Sequence, residues 1–83
     1  MIRLTMPEAR LLLDEHLSGF IEFDGPHIEA TVIDKDITET RDIIDGFISS
    51  LGREVDPSSI EVTPDRIDDM DVPCVSVIIR LEE

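Results

Sequence analysis

Tryptophan and tyrosine are absent from this 83-residue chain, and three phenylalanines supply all of its aromatic content. Any core must therefore be aliphatic, and an aromatic-walled substrate pocket is hard to build. Positive charge is nearly as scarce. Seven basic residues, with Lys35 the sole lysine, face twenty acidic ones, for a formal net charge of −13. Binding a phosphate backbone requires clustered Lys and Arg, so nucleic acid is excluded as a partner, and an anionic membrane surface with it. Cations and basic proteins suit such a surface. Cys74 stands alone, which removes an intramolecular disulfide and a cysteine-based zinc site, and leaves it as a small hydrophobe. The four glycines are scattered at positions 19, 25, 46 and 52, so there is no glycine-rich phosphate loop. No apolar run approaches membrane-span length, and Met1-Ile2-Arg3 leads into no signal-like apolar segment. A cytoplasmic protein is the expectation.

What remains is 41% hydrophobic, rich in Ile, Val and Leu, and long enough for one small domain spanning residues 1–83. Residues 2–4 read as a short first strand. Thr5 and Glu8 form a capping-box pattern with Pro7 in the first turn, opening a helix over 7–17 with Ala9, Leu12, Leu13, His16 and Leu17 on its apolar face. Strands over 19–23 and 27–33 flank Asp24-Gly25-Pro26, a hairpin signal that the proline extends beyond two residues. Alternation places Ile21, Phe23, Ile28, Ala30 and Val32 on one face, and Glu22, Glu29 and Thr31 on the other.

A second helix over 37–51 presents Ile37, Ile44, Phe47, Ile48 and Leu51, and Gly52 stops it. Ile60–Thr63 alternates as a strand closed by Pro64. Residues 74–82 form the clearest strand, with Val75, Val77, Ile79 and Leu81 inward and Ile78 marking an interior place in the sheet. The fold class is α+β: a mostly antiparallel sheet of four to five strands with two helices on one face, in the order (β)-α-β-β-α-β-β.

Carboxylate crowding carries the chemistry. Asp65-Arg66-Ile67-Asp68-Asp69-Met70-Asp71 holds four carboxylates in seven residues, bracketed by Pro64 and Pro73. Asp65, Asp68, Asp69 and Asp71 are hard oxygen donors of the kind calcium gathers six to eight at a time. Asp34 and Asp36 precede the second helix and join the same site if their turn folds nearby. The stretch Asp34–Asp45 sets acids and threonines at EF-hand ligand positions, but Glu39 occupies the place of the obligatory turn glycine. Asp36 with Glu39 reads instead as a helix cap. His16 and His27 lack zinc spacing, and no serine sits in a nucleophile elbow.

The acidic segments 34–45 and 65–71, above all Arg66-Ile67-Asp68-Asp69-Met70-Asp71, resemble a family of small acidic proteins of methanogenic archaea described as calcium-binding. The resemblance covers the whole chain and implies an α+β fold with Ca²⁺ as ligand. The expectation is a non-enzymatic calcium-binding domain, with Mg²⁺ as the competing ion. The alternative is an acidic interaction module that meets a basic protein and has no specific metal site. A third reading makes the acidity an adaptation to high salt.

Overall fold

In the computed structural model the described residues are 3–17, 19–65 and 72–82. The first helix, α1, runs from Met6 to Leu11. Thr5 caps it, accepting from the Glu8 N–H while the Glu8 carboxylate accepts from the Thr5 N–H at 2.9 Å. The capping box and the Pro7 placement are as the sequence reading expects. The continuation is not α-helical: residues Leu12–His16 form a π-helical turn, closed by the Leu17 N–H donating to the Leu12 carbonyl at 3.1 Å.

That wider turn stacks Leu17 over Leu12, five residues apart, where an α-helix would have stacked His16. Ala9, Leu12, Leu13 and Leu17 are buried as expected, but His16 is exposed. Its ring meets the Phe47 ring edge-on at 5.5 Å.

β1 (Gly19–Asp24) and β2 (His27–Ile33) pair antiparallel from Gly19↔Val32 to Asp24↔His27. The connection is therefore a two-residue turn, shorter than the sequence suggests, and Asp24 is a strand residue. Gly25 takes φ +61° at the first central position, the sign a II′ turn requires there, and Pro26 supplies the negative φ that follows.

α2 (Ile37–Ser50) is capped by Asp36, whose carboxylate accepts from the Glu39 N–H at 2.8 Å. Gly52, at φ +71°, ends it where the sequence places the stop. A short 3₁₀ turn, Pro57–Ser59, leads into β3 (Ile60–Asp65), and β4 (Cys74–Arg80) completes the chain's sheet. The strand order is β1-β2-β4-β3, every neighbouring pair antiparallel. β2 and β3 thus run parallel with β4 between them, a split β-α-β unit. Among the described residues there are four strands. Leu4 is buried outside any strand, its carbonyl accepting from the Glu82 N–H at 2.9 Å.

Pro64 does not close the third strand, because β3 continues to Asp65, opposite Cys74. An edge strand tolerates proline, since one of its sides has no ladder to break. Asp65 is accordingly held by the sheet.

The register puts Ile28, Ala30, Val32, Val75, Val77 and Ile79 on one face, all buried, with Ile21, Ile60 and Val62 half-buried toward the edges. Leu12, Leu13 and Leu17 from the first helical segment and Ile44 from α2 extend this aliphatic core, and Phe47 from α2 is its one aromatic member among the described residues. Phe23 shares the inner face but remains 56% exposed, because β1 is an edge and Phe23 lies near its end. The Arg10 guanidinium lies 5.9 Å from its ring centroid. Among the described residues no helix is long and apolar enough to cross a membrane.

Glu8 joins the two helical segments. Besides the Thr5 N–H, its carboxylate accepts the Thr5 hydroxyl at 3.1 Å and pairs with the Arg53 guanidinium, which also donates to the Arg3 carbonyl at 3.3 Å. The Thr5 N–H, with Arg53 as a further cause acting against partial burial, holds the Glu8 carboxyl below its ordinary 4.5. An acid with a depressed folded-state pKa stabilises the fold above its unfolded value, and loses that contribution as pH falls through the folded one. Glu8→Gln keeps a capping-box acceptor and removes only the charge, so it is expected to cost about 1 kcal/mol at neutral pH. The gap between native and variant in urea melts should close below about pH 4.5; a gap independent of pH would show that the charge contributes nothing.

Candidate cation site

The split β-α-β topology decides where the acidic segments meet. Because β2 and β3 are parallel, both end at the same pole of the sheet, and α2 begins there. Ile33, Cys74 and Asp65 lie in one cross-strand row at that pole. The β2–α2 turn leaves the sheet from that row. Asp34 adopts φ +64°, a left-handed conformation that Asn and Asp tolerate best among residues with a side chain. Its N–H donates to the Pro73 carbonyl at 2.8 Å, the next rung of the β2–β4 ladder after Ile33↔Cys74. The β2–α2 turn is thereby bonded to the residue leading into β4.

Between these segments lies a cavity of about 430 Å³ lined by Asp36, Ile37, Thr38, Pro64, Asp65, Pro73, Cys74 and Val75. Two of the carboxylates expected to act together, Asp36 and Asp65, share its wall, and both residues are exposed. Asp34, also exposed, belongs to the same turn, two residues before Asp36. One Asp36 oxygen is engaged by the Glu39 N–H, which leaves the second for another partner. Cys74 is buried in the cavity wall. A thiol is a poor partner for hard cations, so the carboxylates define what the cavity can take.

Asp68, Asp69 and Asp71 lie outside the described residues. Among the described residues no three of His, Cys, Asp and Glu come together as a cation-holding group. The EF-hand reading fails in space as it does in sequence, since α2 starts at Ile37 inside the would-be loop. The Thr40 hydroxyl is buried and donates to the Asp36 carbonyl at 2.8 Å. His27 sits 3.7 Å from Glu29 on the opposite face of the sheet.

Sequence reasoning missed the walls of this cavity. Thr38 and Pro73 are ordinary cap and loop residues until β4 is inserted between β2 and β3. No local signal marks the bond from Asp34 to Pro73, because it joins positions separated by an entire helix and strand. No protein-family model, curated protein or solved structure matches the chain.

Proposed function

We propose that this chain is a non-enzymatic calcium-binding domain whose ion sits at the pole formed by the β2–α2 turn and the facing ends of β3 and β4. The observation that carries the proposal is the convergence of Asp36 and Asp65 on one cavity, with Asp34 in the adjoining turn. In a chain of net charge −13, carboxylates brought together repel, and a divalent cation relieves that repulsion. Calcium's shell of six to eight oxygens accepts mixed and irregular donors. Asp34, Asp36 and Asp65 supply carboxylates, backbone carbonyls and water supply others, and Asp68, Asp69 and Asp71 extend the acidic stretch. Magnesium demands stricter octahedral geometry and binds more weakly in this setting.

Calcium titration followed by backbone amide shifts tests the proposal. Saturating shifts are expected at 34–36, 65 and 72–74, with a dissociation constant of about 10⁻⁵–10⁻³ M. Uniform, non-saturating drift at acidic positions throughout the chain would refute it.

A second reading, an acidic module for a basic protein partner, draws on the helix-free face of the sheet. Glu22 and Glu29 stand directly opposite each other there, both exposed, an arrangement that costs stability without a counter-charge. Glu61 is in the same cross-strand row, paired with Arg80 at 3.2 Å. Steering by such a face weakens with salt and does not require calcium. Capture of a basic partner in chelator, lost at high ionic strength, would favour this reading.

A further inference from the structure

A second cavity, of about 310 Å³, opens between α2 and the β3 edge. Its lining divides by exposure. Ile44 is buried, and Ile48, Val55, Ile60 and Val62 are half-buried, whereas Arg41 and Asp45 are exposed. The cavity therefore has an aliphatic floor and a mouth bearing one cation and one anion. Arg41 and Asp45 are one turn apart on α2, and hence on the same side of it.

Among the described residues they form no ion pair with each other or with any other side chain. An arginine N-terminal to an aspartate is also the less favourable order for pairing along a helix. In a chain with twenty acids and seven bases, a guanidinium without a carboxylate partner is available to a ligand.

We propose that this cavity binds a free aliphatic α-amino acid. Its branched side chain lies against Ile44, Ile48, Val55, Ile60 and Val62, its carboxylate meets Arg41, and its ammonium meets Asp45. The volume falls at the lower end of small-ligand pockets, which begin at about 300 Å³. Among the described residues of the lining there is no aromatic ring, and so no stacking surface for a nucleobase or an aromatic side chain.

Charge decides the head group. A branched-chain carboxylic acid would satisfy Arg41 but bring its anion toward Asp45 and a protein of net charge −13. A branched amine would satisfy Asp45 and meet Arg41 with like charge. A zwitterion matches both residues and carries no net charge for the protein's field to repel.

Amide-shift titrations of the whole chain in chelator test this independently of any cation. L-leucine is compared with isocaproate, which lacks its ammonium, and isoamylamine, which lacks its carboxylate. Saturating shifts at Ile44, Ile48, Val55, Ile60 and Val62 are expected with leucine, and each half-ligand should bind at least about tenfold more weakly. Arg41→Gln and Asp45→Asn change exposed residues of α2 and should leave the spectrum folded. Each should weaken leucine binding at least about tenfold. No saturable response to leucine, half-ligands that match it, or variants that bind as the native chain does would each overturn the assignment.

Discussion

Ile79→Ala is expected to lower stability by about 2–5 kcal/mol, the range for emptying a fully buried aliphatic site. Ile79 has no exposed surface, and its strand, β4, is bonded on both sides. It stands opposite Ile28 on β2 and Ile60 on β3, so the truncated side chain leaves space across three strands. The sheet cannot close that gap without breaking register elsewhere. For a domain of this size each kcal/mol moves the melting temperature by about 4–8 °C, so the variant loses a large fraction of a total near 5–15 kcal/mol.

Its neighbour is the control. Ile78 points to the helix-free face and is half-buried between Glu29 and Glu61. Ile78→Ala should cost about 1 kcal/mol or less, the span of strand preference for a surface position. Urea melts of the two variants check the assignment of faces, and equal losses would contradict it.

Calcium is expected to stabilise the native chain by about 2.7 kcal/mol at a hundredfold excess over its dissociation constant, since mass action favours the state that binds. Sodium chloride at matched ionic strength should give much less, because screening acts on all twenty acids without filling a site. Asp65→Asn removes one carboxylate from the shared cavity and one repulsive charge from the pole. It should therefore gain less from calcium than the native chain does. Asp36→Asn makes the companion test, because asparagine caps α2 as well as aspartate does and alters only the charge. If sodium chloride reproduces the whole gain, the acidity is a response to salt and the cation site is refuted.

Most of the helix ends and strand faces were legible in residues a few positions apart. Thr5 with Glu8, and Asp36 before Ile37, are caps because a side-chain oxygen reaches an N–H three residues on. The alternation of Val75, Val77 and Ile79 marks the core face because strand side chains point alternately up and down. Legibility failed where a distant partner decides. The helix over 7–17 reads as continuous, but packing selects a π turn that buries Leu17 and turns His16 outward. Asp24-Gly25-Pro26 reads as an extended loop, but strand pairing through Asp24↔His27 leaves only two residues for the turn. Pro64 reads as a strand end because its tolerance depends on β3 being an edge, which the local sequence does not state.

The acidic sites divide along the same line. The sequence alone determined that the chain is α+β with an aliphatic core, that its charge is overwhelmingly negative, and that its carboxylates crowd at 34–36 and 65–71. These are properties of composition and of short-range spacing. Only the tertiary structure decided that Asp36 and Asp65 face one cavity, and that Arg41 and Asp45 guard another. The first follows from β4 lying between β2 and β3, which makes those two strands parallel and brings their ends, with the start of α2, to one pole; the second follows from α2 packing across the β3 edge. That placement is settled by which strands bury one another's inner faces, a choice made between segments far apart in the chain.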